Sequence, residues 1–548
     1  MNKKRLICLI LSCLLVVCLF AGCSSSKNDG GNDANANEGS TEAATDNTVV
    51  IALASDLKTL DPGQMYEIFG NMICYATYDM LFRISGDNLS DPQPSLVTED
   101  WTLDETRTVY TFPLRQDVYF TSGNQLTAKD VVFTINRVKN LKSNNTPNAE
   151  VVVSVEAPDD FTVVITLDKP DASFLTKLAS NAFAVLDSEV VKEHGATDAE
   201  DAASADTART WLDANSAGSG PYILESWTQG VEIVLKKNPN YWGECGNVDT
   251  FIIKEIPDSN TQIQMLEGDE IDIAFTLNAD NIKQLKKEDG TTKEGITIIN
   301  GQTSLISFLL MNEDPAIGGP MADHRVQQAV RLAINYQELL DLCGEGATLP
   351  LSYIPENFVG GLTRDVSYTD VEAAKALMAE AGYADGFDVV LTTANYDTEG
   401  LKWPTIAQKI ASDLAQIGIN VKIETGEIGV VIDAYREGTC QFLIMHWSPD
   451  YYDINNQLAF LPDATVGARA NWHAEGHEDM IALGDLIIGE ADPEQRAEYS
   501  RQLQTLTAED SPYAFLLQHP KNFAIGPRVD NVIYNDLVKL QLSEMNVK

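Results

Sequence analysis

"SGPYILESWTQGVEIVLKKNPNYWG", Ser219 to Gly243, is the stretch around which the rest of the chain is organised. Gly220-Pro221 makes a turn, since glycine tolerates backbone angles that other residues avoid and proline fixes its own φ. "VEIVL" (Val231 to Leu235) alternates as a half-buried strand does, and Tyr241 and Trp242 supply large apolar area to fasten it. These read as framework residues, not as ligand contacts.

Outward from this stretch the chain reads as mixed α and β. "VVIALA" (Val49 to Ala54) is a short apolar run suited to a buried strand, ending before the turn-forming Asp61-Pro62-Gly63. "RTVYTFPLRQDVYF" alternates and is strand-like. "TAKDVVFTINRVKN" follows as a helix with Thr127 at its N-cap and Val131, Ile135 and Val138 at helical spacing. "VVVSVEAPDDFTVVITL" gives two strands around Pro158-Asp159-Asp160. Further on, Asp323 caps one helix over "HRVQQAVRLAINYQELL", and Asp370 caps "VEAAKALMAEA", which stops at Gly382. Pro404 opens "TIAQKIASDLAQI", Gly418 closes it, and "INVKIE" alternates as a strand. Helix followed by strand is the crossover unit of α/β domains. No fixed-period repeat is evident, and 548 residues exceed what one hydrophobic core usually supports, so two or more lobes are expected.

The N-terminus sets the compartment. "MNKKR" is a short basic start, and "LICLILSCLLVVCLF" has the length of a secretory apolar region rather than of a spanning helix. It runs into Leu19-Phe20-Ala21-Gly22-Cys23, which resembles the bacterial lipoprotein signal, with Cys23 lipidated at the mature N-terminus after removal of residues 1–22. Residues 23–47 lack large apolar side chains, are rich in Gly, Asn, Ser and acids, and read as a flexible tether. The expected localisation is therefore the extracytoplasmic face of the cell membrane, held by lipid.

Composition narrows the function. With 44% apolar residues this is a folded protein. The formal charge is −43, and loss of Lys3, Lys4 and Arg5 with the signal takes it to −46. Such a surface argues against nucleic acid or anionic lipid as a partner, because both are recognised through Lys and Arg. Four of the eight cysteines lie in the signal or at Cys23, and Cys74, Cys245, Cys343 and Cys440 are scattered without CxxC spacing. Structural zinc is not expected, while disulfides and isolated buried thiols both stay open.

No catalytic constellation is found: there is no G-x-S-x-G elbow, no Walker A loop and no G-x-G-x-x-G after a strand. Ser24-Ser25-Ser26-Lys27 fits S-x-x-K but sits in the tether. His473 and His477 stand four apart, yet Gly476 weakens a helix there and H-A-E-G-H misplaces the glutamate of H-E-x-x-H, so they are read as exposed and unliganded. No metal, cofactor or catalytic residue is assigned.

The G-P-Y turn, strand, Trp, strand and N-P-x-Y-W of Ser219 to Gly243 closely resemble the signature of the peptide and nickel family (family 5) of ABC-transporter solute-binding proteins. "LDPGQMYE", "PSLVTEDWTLDETRTVYTFPLRQDVYFTSGNQLTAKDVVFTINRV", "MADHRVQQAVRLAIN", "LMAEAGYADGF" and "IAQKIASDLAQIGINVKIE" resemble family segments in the family's order. The resemblance implies an α/β, periplasmic-binding-protein-like fold of two lobes joined by a hinge, plus an inserted extra domain (cluster C type). By analogy domain I comprises 48–78, 218–303 and 515–548, domain II 79–217 and domain III 304–514. It also implies a monomeric binder, not an enzyme, that carries oligopeptides or dipeptides to ABC permease subunits. The same family carries nickel chelates, oligosaccharides and opines, and a cell-surface hydrolase is the alternative from another class.

A site follows from the same resemblance. In peptide-binding members a W-x-x-D motif lies at the cleft, its aspartate receiving the peptide's α-amino group. Trp447-Ser448-Pro449-Asp450 within "MHWSPDYYD" matches it, which makes Asp450 the anchor, with Trp447 and Ser448 beside it. His446 stands where members usually have glycine, and contacts ligand or turns away. Tyr66, Glu67 and Ile68 resemble the loop that faces this motif from the other lobe.

Overall fold

The computed structural model describes residues 47–548 except 55, 56, 68, 87, 88 and 90. Residues 1–46, Cys23 among them, and Ile68 therefore lie outside the described residues. The dominant element is a ten-stranded mixed sheet. In spatial order it runs Ile419–Gly426, Phe387–Ala394, Phe442–Trp447, Thr297–Met311, Tyr513–Ile525, Ile273–Leu277, Thr48–Leu53, Thr250–Glu255, Glu232–Lys237 and Tyr222–Thr228. The apolar run after Thr48 occupies an interior position, parallel to both of its neighbours. That placement explains why it is apolar without alternation, since an interior parallel strand is covered on both faces.

Two long strands carry the sheet from one end to the other. Thr297–Met311 and Tyr513–Ile525 pair antiparallel along their length, but the register shifts between Gln302 and Ile306 and again between Ser307 and Phe308. On one side of the shifts Tyr513–Ile525 borders Ile273–Leu277, and on the other Ile306 to Met311 pair with Phe442–Trp447. Pro520, opposite Gln302, sits at the change and cannot donate to the ladder. Close by, Lys521 Nζ pairs with Glu399 at 2.7 Å and lies 4.3 Å from the Phe275 ring centroid.

A separate four-stranded sheet is formed by Thr102–Leu103, Val109–Pro113, Thr162–Leu167 and Val152–Asp159. The expected strand over "RTVYTFPLRQDVYF" is shorter than its pattern: it stops at Pro113, and Tyr119 only bridges to Gln125. The helix after Thr127 runs Ala128–Leu141, with the Asp130 carboxylate accepting from both the backbone N–H and the hydroxyl of Thr127. The single helix expected after Asp323 is two, His324–Ala333 and Tyr336–Cys343. Asn335 leaves the helical conformation and its side chain accepts the Glu338 N–H, so it caps a second helix where the pattern read one.

The Ser219 to Gly243 stretch is framework, for reasons now visible. Ser219 Oγ and Trp242 Nε1 both donate to the buried Asp79 carboxylate, at 2.8 and 2.9 Å, and Asn238 Nδ2 donates to the Gly220 carbonyl at 2.9 Å. A Cβ on Gly220 would lie 2.5 Å from the Thr77 carbonyl carbon, so the two backbones touch where only glycine fits. Cys74, Cys245, Cys343 and Cys440 are free.

Candidate ligand-binding site

Phe442–Trp447 ends in the loop that carries the W-x-x-D motif, and hydrogen bonds on both sides hold that loop. Asn456 brackets Asp450: its Oδ1 accepts the Asp450 N–H at 3.3 Å and its Nδ2 donates to Asp450 Oδ2 at 3.4 Å. Asp453 caps the turn Ile454–Gln457 through the Asn455 N–H and accepts a two-pronged pair from Arg496. Asn455 Nδ2 donates to Asp171 at 3.0 Å, and Asp171 in turn pairs with Lys177 at 2.6 Å. A loop clamped in this way presents its side chains in fixed positions.

Asp450 is half-buried and enters no ion pair among the described residues. Burial pushes its carboxyl above the usual carboxylate range, opposed by the Tyr66 hydroxyl, by Asn456 and by the charge of Arg469. Tyr66, although 44% exposed overall, brings its hydroxyl into a hydrogen-bonding approach to Asp450. Desolvation first and Asp450 second push the phenol far above its ordinary value. Residues 384 positions apart thus meet. A half-buried carboxylate without a cation is a place where a cationic group of a ligand is stabilised.

The other expected residues divide. Trp447 packs edge-on against Phe460, with ring centroids 5.5 Å apart, yet its indole N–H is buried without a partner. His446 is engaged within the protein: its Nδ1 meets Thr398 Oγ1 at 2.9 Å, and its ring stands edge-on to Tyr396 and Trp403. Burial lowers its pKa to about 4, so the ring is neutral. Ser448 is half-buried at the start of the loop. Glu67 accepts the Tyr66 N–H at 3.3 Å and so shapes its own loop. Asp61, in "LDPG", anchors that loop by a two-pronged contact with Arg137 at 2.8 and 2.7 Å.

The motif reading did not include Asn456, Arg469 or Tyr435. Arg469 lies with its guanidinium carbon 4.7 Å from the Tyr435 ring centroid. Nothing near them in the sequence marks these residues. His473 and His477 are not equivalent: His473 meets Asp463, whereas His477 is half-buried, edge-on to Trp472, rather than exposed as expected. Among the described residues no three His, Cys, Asp or Glu side chains gather as a metal site, and no helix is long and apolar enough to cross a membrane.

Comparison with known proteins gives one answer throughout. Residues 91–467 match the model of the bacterial extracellular solute-binding proteins, family 5 Middle. The probable D,D-dipeptide-binding periplasmic protein DdpA of Escherichia coli is 27% identical over 497 residues, 90% of this chain and 92% of that protein. Heme-binding protein A of Haemophilus influenzae is 26% identical over 532 residues, 91% of this chain and 92% of that protein. Among solved structures, the periplasmic binding protein DppA of Helicobacter pylori in complex with the peptide STSA superposes with a TM-score of 0.75 at 24% identity, covering 91% of this chain and 98% of that one. The fold is therefore the periplasmic-binding-protein-like α/β fold of two hinged lobes with an extra domain. The relatives are named as binding proteins, and the hydrolase alternative is set aside. The chain belongs to the bacterial extracellular solute-binding proteins of family 5, a family of non-enzymatic, extracytoplasmic carriers.

Proposed function

We propose that the protein captures oligopeptides or dipeptides between its lobes, with Asp450 holding the ligand's α-ammonium, and delivers them to an ABC permease. One observation carries the reading. The carboxylate of Asp450 enters no ion pair among the described residues, faces Tyr66 from a distant part of the chain, and stands in the motif segment whose Trp447 has a buried, unpartnered donor. The curated relatives include the probable D,D-dipeptide-binding protein and a dipeptide-binding protein of Escherichia coli, which supports a peptide ligand. Backbone near Trp447 pairs with the extended ligand as an added strand, giving affinity without reading side chains.

The same reading assigns 48–78, 218–303 and 515–548 to domain I, 79–217 to domain II and 304–514 to domain III. The change of strand partners near Gln302 and Pro520 supports a hinge there. The carrier works as a monomer, lipid-anchored through Cys23. The heme-binding relative favours a second reading, the same transport role with a non-peptide solute.

Native mass spectrometry of the mature chain carrying Cys23→Ser, before and after unfolding to strip carried ligand, tests the proposal. Intact peptides should be retained, and Asp450→Ala should weaken their binding by about 100-fold or more, since truncating one partner of a desolvated charge pair strands the other. Retention of a chelate or a sugar favours the second reading, and unchanged peptide affinity in Asp450→Ala removes Asp450 as the anchor.

A further inference from the structure

The helix Glu478–Gly489 ends against a distant part of the chain. The last carbonyls of a helix have no partner within it and take donors from elsewhere. Here the Ile487 carbonyl accepts from Arg496 Nε at 3.0 Å, that of Ile488 from the Ala172 N–H at 3.1 Å, and that of Gly489 from Arg107 Nη1 at 2.9 Å. The latter two donors belong with the four-stranded sheet: Arg107 lies in the turn between Thr102–Leu103 and Val109–Pro113, and Ala172 follows Thr162–Leu167. Arg107 also brings a cation to the negative end of the helix dipole. Its turn is built to present it: Asp104 Oδ1 accepts the Thr108 and Val109 N–H groups at 2.9 Å each, and Arg107 itself is left-handed, with φ of 58°.

Arg496 joins this helix end to the candidate site. Besides Ile487 it donates to both carboxylate oxygens of Asp453 and, at 2.6 Å, to Asn455 Oδ1. Asn455 turns its amide nitrogen the other way, donating to Asp171 Oδ1 at 3.0 Å and to Ser173 Oγ at 3.3 Å. Asp171, Ala172 and Ser173 thus all bond across, two of them to the turn beside Asp450 and one to the helix end. Lys177, paired with Asp171, stands 5.0 Å from the centroid of the Tyr451 ring. The residue after Asn455 is Asn456, which brackets Asp450. Contacts this polar are of the kind across which domains move.

We infer that the inserted domain is a clasp for the ligand site: docking of Arg107 and of Asp171-Ala172-Ser173 on the helix end and on Asn455 positions the loop that carries Asp450, and so governs how long a ligand is held. The inference rests on the domain assignment and the Asp450 anchor proposed above. It gives the inserted domain a task in binding although that domain supplies no residue to the proposed site.

Hydrogen exchange of the mature Cys23→Ser chain, free of ligand, tests the docking. Arg107→Asn installs a residue that tolerates the left-handed backbone but is too short to reach Gly489, and Ser173→Ala removes one of the two acceptors of Asn455. Amides of residues 448–457 should exchange about tenfold faster in Arg107→Asn, the scale of one charge-assisted hydrogen bond, and measurably faster in Ser173→Ala. The strands Val109–Pro113 and Thr162–Leu167 should keep their protection, which separates undocking from unfolding of the inserted domain. Release of Ala-Ala and Ala-Ala-Ala, followed by tryptophan fluorescence, should quicken by a similar factor with association little changed. Unchanged exchange at 448–457 in both variants, or loss of protection in the two strands alongside it, overturns the clasp. Faster loop exchange with unchanged release overturns its part in holding ligand. Failure of the wild type to bind either peptide overturns the peptide reading, and the exchange result still decides the docking.

Discussion

At the scale of single residues, burial decides most of the chemistry. His519 is fully buried, with Nε2 2.7 Å from Ser307 Oγ and Cys343 Sγ 3.5 Å from Nδ1. Desolvation, and then His446, push its pKa down to about 3, while desolvation takes His446 down to about 4. An unfolded histidine titrates near 6.5, so as the pH falls below that value the unfolded chain takes up protons that the folded chain refuses. The stability tied to these rings is present above pH 6.5 and is lost as the pH falls from there towards 4 and 3. At about 1.4 kcal/mol per pH unit, a fall from 6.5 to about 3 puts at most roughly 5 kcal/mol at stake for His519. Urea unfolding at pH 7 and pH 4.5 should show the wild type losing stability, and His519→Gln should show a shallower slope. An unaltered slope would mean that the ring is protonated in the fold. The sequence made the approach of Tyr66 to Asp450 legible because two short motifs, each quoted on its own, imply facing loops. It did not reveal Asn456, Arg469 or Tyr435, whose placement depends on how the turn after Asp453 and the helix Ile428–Arg436 pack, a property no local pattern encodes.

At the scale of elements, periodicity and end signals carried the reading where they agreed. The helix after Thr127, the helix ending at Gly382 and the helix closed by Gly418 all have a cap or a glycine at the expected end. They disagreed at Asn335, where the apolar face continues but the side chain captures an N–H and starts a new helix. An asparagine is a strong enough cap to have signalled that break. In "RTVYTFPLRQDVYF" the alternation runs past Pro113, and the missing N–H ends the strand first. The Ser219 to Gly243 stretch makes the clearest prediction at this scale. Gly220→Ala drives a methyl group into the backbone of Thr77 and Tyr78, which cannot move aside as a side-chain tip could. It should cost about 3 kcal/mol or more of unfolding free energy, read as a lowered urea midpoint, whereas Gly429→Ala, in open space, should have little effect.

At the scale of the whole molecule, fold class was the most legible property, because it follows from many weak signals in fixed order rather than from any one. Where the long strands exchange partners was not legible: Thr297–Met311 and Tyr513–Ile525 are interior strands along much of their length, and nothing in their composition announces the change. The proposed anchor belongs here too. Wild type should partition into the detergent phase of a cell-envelope extract, and Cys23→Ser should be recovered in the aqueous phase. Equal partitioning of the two would remove the lipid.

The interior position of Thr48–Leu53 has a consequence for biogenesis. Asn47 hydrogen-bonds Asp249, 202 residues further on, and Thr48 lies beside Thr250 in the sheet. A chain threaded across a membrane from its N-terminus therefore delivers its first strand long before either neighbour has emerged. Non-local pairing of this kind folds slowly, because a long loop must close before any contact rewards it. The strand order thus leaves Thr48–Leu53 without its sheet partners until Thr250–Glu255 and Ile273–Leu277 are available, a delay written into the topology itself.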